Sequence, residues 1–88
     1  MIDRPLLCTG ARLQWEPTRS RYMLLYPEGA LMLNETAAAV LELCDGARQL
    51  AVIAGVLSER YGGADVETDV RGLVARLAGL GLVVDGDA

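Results

Sequence analysis

The residues able to do chemistry in this chain are few, and their spacing limits what they can do. There is no histidine, so the commonest general acid and base at neutral pH is missing. The two cysteines, Cys8 and Cys44, lie far apart, with no basic neighbour to favour a thiolate and no close pair to hold zinc or to cycle as a disulfide. Both read as small buried apolar residues. Glu28 and Glu35 are the one pair of carboxylates that invites an acid–base reading, but a turn residue and a residue at a helix N-terminus account for them more simply. No glycine-rich phosphate loop is present. The expectation is a protein that is not an enzyme and that takes no cofactor and no metal.

Noncovalent recognition remains. All eight basic residues are arginine, and against twelve acidic residues they leave a net charge of −4, which repels a phosphate backbone. Nucleic acid is therefore not an expected partner. The chain is 52% hydrophobic over only 88 residues, a high share for a domain with so much surface per unit volume. Part of that apolar surface is expected to meet a partner. No stretch approaches the roughly 20 apolar residues of a membrane span, and no signal peptide is evident, so a cytoplasmic protein with no membrane partner is expected.

The elements that must position such a surface follow from periodicity. Ala11, Leu13 and Trp15 alternate with Arg12 and Gln14, as in a strand with one buried face. Pro17 to Ser20 interrupt the pattern, Tyr22 to Tyr26 resume it, and the turn Pro27-Glu28-Gly29 leads to a short third strand, Ala30 to Leu33. Asn34 then caps a helix carrying Ala37, Val40, Leu41 and Cys44, which exits at Asp45-Gly46. A second helix carries Leu50, Ile53, Ala54, Leu57 and Tyr61, although Gln49 is a poor cap for it. Asp65 caps a third, with Val66, Val70, Leu73, Leu77 and Leu80 as its stripe, before Gly81 and the apolar tail Leu82-Val83-Val84. The order predicts one α+β domain over residues 1–88, a three-stranded antiparallel sheet followed by three helices.

Two places carry more apolar or small residues than one core needs. The second strand is apolar on both faces, as is the third, and the third is short enough to be an exposed edge to which a foreign strand can add. Coverage of Met23, Leu25, Ala30 and Met32 by the N-terminal arm or by the Leu82–Val84 tail is the plain alternative. On the third helix, Arg71, Val74, Ala75 and Ala78 form a flank where a backbone can approach and Arg71 can meet a carboxylate. The plain alternative there is a solvated flank with an i,i+4 Glu67–Arg71 pair.

These segments resemble the PqqD family, the pyrroloquinoline quinone (PQQ) biosynthesis protein D group of recognition elements for ribosomally made, post-translationally modified peptides. The resemblance rests on Leu24-Leu25-Tyr26-Pro27-Glu28-Gly29, Leu33-Asn34-Glu35-Thr36-Ala37 and Leu41-Glu42-Leu43-Cys44-Asp45-Gly46. It extends through Asp69-Val70 with Leu77 to Gly81-Leu82-Val83. It departs at Gln49, where similar proteins place Thr or Ser. The resemblance implies a winged-helix-like peptide recognition domain that binds the precursor peptide PqqA and presents it to a radical S-adenosylmethionine enzyme, PqqE. It further implies a leader peptide added as a strand on the third strand and lying against the third helix. The peptide-binding residues would then be Ala30, Leu31, Met32 and Leu33 on one wall and Arg71, Val74, Ala75 and Ala78 on the other. Competing readings are a recognition element of another peptide-modifying pathway, a winged-helix DNA-binding module, or self-pairing of the apolar edge. A monomer or weak homodimer is expected. The DNA reading lacks its footprint, since Glu67 and Asp69 offset Arg71 and Arg76 on the third helix.

Overall fold

A computed structural model describes residues 2–86, so residues 1, 87 and 88 of the expected domain lie outside the described residues. The chain forms β1 (Pro5–Leu7), β2 (Arg12–Glu16), β3 (Arg21–Tyr26), β4 (Gly29–Met32), α1 (Glu35–Glu42), α2 (Leu50–Arg60), α3 (Glu67–Gly79) and β5 (Val83–Asp85). Strands β2, β3 and β4 make the expected antiparallel meander, with β3 in the centre. Leu13 pairs with Leu24 and Leu24 with Leu31, so the leucines share the face that meets the helices. Leu24 is wholly buried there.

The Asn34 signal acts where the sequence puts it, whereas α1 already ends at Glu42, short of the expected exit at Asp45-Gly46. The Asn34 side chain accepts a hydrogen bond from the Ala37 amide at 2.7 Å, satisfying one of the orphan donors of the first turn of α1. Gln49 precedes α2 without a capping bond. Asp65 accepts from the Glu67 amide at 3.2 Å, one residue ahead of the formal cap position, Val66.

A second, two-stranded sheet joins the three-stranded one that the sequence predicts. β1 and β5 form a separate two-stranded antiparallel ribbon, with Leu6 opposite Val84. Its cause is the end of α3, where the Leu82 amide donates to the Leu77 carbonyl at 2.9 Å and the Gly81 amide to Ala78 at 3.0 Å. This is a Schellman closure, which needs the left-handed conformation that Gly81 adopts at φ 76°. It turns the chain sharply and buries Leu82, and the apolar tail becomes β5. The ribbon also docks on the exit of α1. The Gly46 amide donates to the Pro5 carbonyl at 2.9 Å, and the Leu7 amide to Cys44 at 3.4 Å.

Sixteen hydrophobic residues form one buried cluster drawn from every helix, from β3, from β5 and from the segments joining them. On α3 the buried residues are Val70, Val74 and Leu77, whereas Leu80 is 59% exposed. The stripe is thus rotated from the expected one toward Val74, because α2 and β5 both pack on α3 and the ribbon adds apolar surface on that side. Cys44 is buried and its thiol donates to the Val40 carbonyl at 3.3 Å, while Cys8 is half-buried. Burial, with the Asp45 carboxylate beside it, pushes the Cys44 thiol up to about 11, so it stays protonated at neutral pH.

Two outcomes follow. Leu24→Ala removes the wholly buried side chain of the central strand and should cost about 2–5 kcal/mol by denaturant unfolding. The raised Cys44 pKa means that the native state holds its proton more tightly than the unfolded chain. The Cys44 contribution to stability should therefore be fully present below pH 9 and be lost as pH rises from 9 toward 11. Unfolding curves across that range should show the decline in the native protein and a shallower one in Cys44→Ala.

Candidate functional site

β4 is paired on one side only, as the outer strand of the β2-β3-β4 sheet. The Leu33 amide, just beyond the strand, donates to the Tyr22 carbonyl at 2.9 Å. In an antiparallel ladder, residues that exchange such bonds recur at every second position. Leu31 and Gly29 accordingly turn their backbone groups toward Leu24 and Tyr26, and Ala30 and Met32 turn theirs away from β3. Among the described residues, no turn, loop or cap hydrogen bond reaches the backbone of Ala30 or Met32.

Side chains alternate with the same period. Leu31 and Leu33 point to the core side, and Ala30 and Met32 share the outer face with Met23 and Leu25. Met23, Leu25 and Met32 are half-buried, yet none of them packs against the buried cluster. Among the described residues, the arm and the tail are engaged elsewhere, since β1 and β5 pair with each other and with the Cys44–Gly46 segment.

A hollow of about 350 Å³ opens beside the end of this edge. Leu33 and Val40 contribute its apolar floor with Leu73 of α3, and Met32 borders it from β4. Asn34, Thr36 and Ala37 line it from the start of α1, and Asp69 and Arg76 from α3. Arg76 and Asp69 have no ion-pair partner among the described residues, in contrast to Arg71 and Arg48, which pair with Glu67 and Asp45. The Asp45 carboxyl is held below its ordinary range, first by the Ala47 amide donating to it and further by the Arg48 guanidinium.

The eight residues expected to bind peptide fall in two groups. Ala30, Leu31, Met32 and Leu33 lie together along the free edge and its continuation. Arg71, Val74, Ala75 and Ala78 do not face them. Val74 is 2% exposed and belongs to the core. Arg71 makes the i,i+4 pair with Glu67 at 3.3 Å and lines a different depression with Ile2, Asp3 and the start of α2. Ala75 is exposed and Ala78 half-buried on that same flank. Arg71 and Arg76 are five positions apart, which separates them by about 140° around the helix. Sequence reasoning chose the flank carrying Arg71; the flank toward β4 carries Asp69, Leu73 and Arg76. The available signal was Leu73, already in the apolar stripe, with Asp69 four positions before it and Arg76 three after.

A larger hollow, about 550 Å³, lies across Leu33 and Asn34 from the first. Trp15, Tyr22 and Tyr61 line it, and Trp15 meets Tyr22 edge to face at 5.1 Å between ring centres.

Comparison with known proteins places these features among relatives. Residues 21–83 match the family described as coenzyme PQQ synthesis protein D (PqqD), a span that takes in β3, β4, all three helices and the start of β5. The PqqA binding protein of Methylococcus capsulatus is 53% identical over 60 residues, covering 68% of this chain and 64% of its own. The chain thus spans somewhat less than two thirds of that relative. The PqqA binding protein of Rhodopseudomonas palustris is 39% identical over 85 residues, 94% of this chain and 83% of that protein. Among solved structures, the solution structure of the PqqD truncation of Methylobacterium extorquens PqqCD superposes with a TM-score of 0.80 at 33% identity, over 91% of this chain and 87% of that one. That truncation is described as a functional, stand-alone recognition element for ribosomally synthesized and post-translationally modified peptides.

The unpaired edge makes a prediction about the free protein. The Ala30 and Met32 amides should exchange with solvent roughly a hundredfold faster than the neighbouring Leu31 and Leu33 amides, which are tied to β3. Residue-resolved hydrogen exchange measures this; equal protection along 30–33 would mean that the edge is covered.

Proposed function

Because the chain belongs to the coenzyme PQQ synthesis protein D (PqqD) family, we propose that it binds the precursor peptide PqqA by strand addition to β4. The observation that carries this is the free edge, where Ala30 and Met32 offer two donors and two acceptors with no partner among the described residues, and an apolar face alongside that lies outside the buried cluster. A peptide strand supplies main-chain hydrogen bonds to that row, and its alternate side chains reach the two faces of the sheet. Residues opposite Ala30 and Met32 lie beside Met23 and Leu25. Those opposite Leu31 and Leu33 point to the inner side, toward Leu73 and Arg76.

On this reading the protein is a carrier that presents the peptide to the radical S-adenosylmethionine enzyme PqqE, and the chemistry belongs to that enzyme. The family name is that of a coenzyme PQQ synthesis protein, the relatives are named PqqA binding proteins, and the structural neighbour is described as a peptide recognition element. No helix among the described residues is long and apolar enough to cross a membrane. The acidic balance of the chain and the mixed charges of α3 disfavour the DNA-binding alternative.

Titration of labelled protein with a synthetic PqqA peptide should show saturable binding in equal stoichiometry, with the Ala30 and Met32 amides gaining protection and α2 little changed. Met32→Pro removes one edge donor and should abolish binding, with circular dichroism confirming that the variant is folded. Binding without protection of β4 would place the peptide elsewhere.

A further inference from the structure

We infer that Arg76, at the far wall of the hollow beyond Met32, is a specificity residue that pairs with an acidic side chain of the bound peptide. The inference rests on the strand-addition reading and adds the chemistry that the added strand must carry. A strand laid along Ala30 and Met32 directs every second side chain to the inner side of the sheet, and near Leu33 that side opens into the hollow between β4, α1 and α3. The floor there is Leu33, Val40 and Leu73, which suits an apolar side chain. At its rim stands Arg76, on the α3 flank toward β4 and without a carboxylate partner among the described residues.

The sign follows from what surrounds the hollow. Arg76 contributes a guanidinium whose five donors can clamp a carboxylate in two places. The first turn of α1 borders the same space and adds the positive end of a helix dipole. Against them stands Asp69 in the first turn of α3, where its charge is already favoured by that helix's own dipole. A peptide with an acidic residue two positions from an apolar one would satisfy both floor and rim, since residues two apart in a strand share a face. The overall charge of −4 does not attract such a peptide from a distance, so this local contact is where an acidic residue is accepted.

A double-mutant cycle tests it, using synthetic PqqA peptide of Methylococcus capsulatus and variants in which each acidic residue in turn becomes its amide. Arg76→Gln should weaken binding of the unchanged peptide about tenfold, and one acidic position of the peptide should lose its effect once Arg76 is gone. Arg76→Glu should weaken binding further and be rescued by lysine at that one position. Arg71→Gln, on the other flank, should leave affinity unchanged. The inference fails if the native protein binds peptide but no acidic position couples to Arg76. It fails equally if Arg71→Gln or Asp69→Asn weakens binding while Arg76→Gln does not. If the native protein binds no peptide at all, strand addition itself fails, and this inference with it.

Discussion

The register between β3 and β4 is the constraint on which the rest depends. Leu24 and Leu31 face the helices, where Leu24 is wholly buried and Leu31 packs against the core beside Tyr22 and Tyr26. Once they do, the two-residue period of a strand decides everything else about β4. Ala30 and Met32 are left with side chains on the outer face and backbone groups on the free edge. A shift of one residue would turn Met32 inward and Leu31 outward, and would hand the free donors to Leu31 and Leu33. Burial of one leucine row thus determines which amides are available to a partner.

The end-to-end ribbon holds the other half of the site. The Schellman turn at Gly81 sends β5 back against β1, and β1 is bonded to the exit of α1 at Cys44 and Gly46. A domain this small has little core to spare, and the ribbon adds Leu82 and Val83 to the buried cluster that the sheet and helices form. Contact of α3 with both α2 and β5 draws Val74 into the core. The same rotation turns Asp69, Leu73 and Arg76 toward β4, so the flank that lines the hollow follows from how β1 and β5 are tied.

Charge is distributed to match. Arg48 and Arg71 are neutralised locally by Asp45 and Glu67, in exposed pairs of the kind that contribute little to stability. Arg76 is left to the solvent side of the hollow, near the open edge. Backbone donors, an apolar floor and one cation thus converge on one stretch of surface.

Much of this was legible in the residues themselves. Alternation in 11–15 and 22–26, the Pro27-Glu28-Gly29 turn, the Asn34 cap and the period of the helices depend on contacts within a few residues, so they survive without knowledge of the rest of the chain. The double-sided apolar character of 30–33 likewise announced an edge with a surplus. Tertiary structure alone decided the pairing of Leu6 with Val84 and the rotation of α3. Three-residue strands carry almost no periodic signal, and their pairing is set by where distant segments end. A helical wheel yields two flanks but not which one meets the sheet; the sequence points to the flank of Arg71, and only the seating of Val74 in the core by the ribbon and α2 turns the flank of Arg76 toward β4.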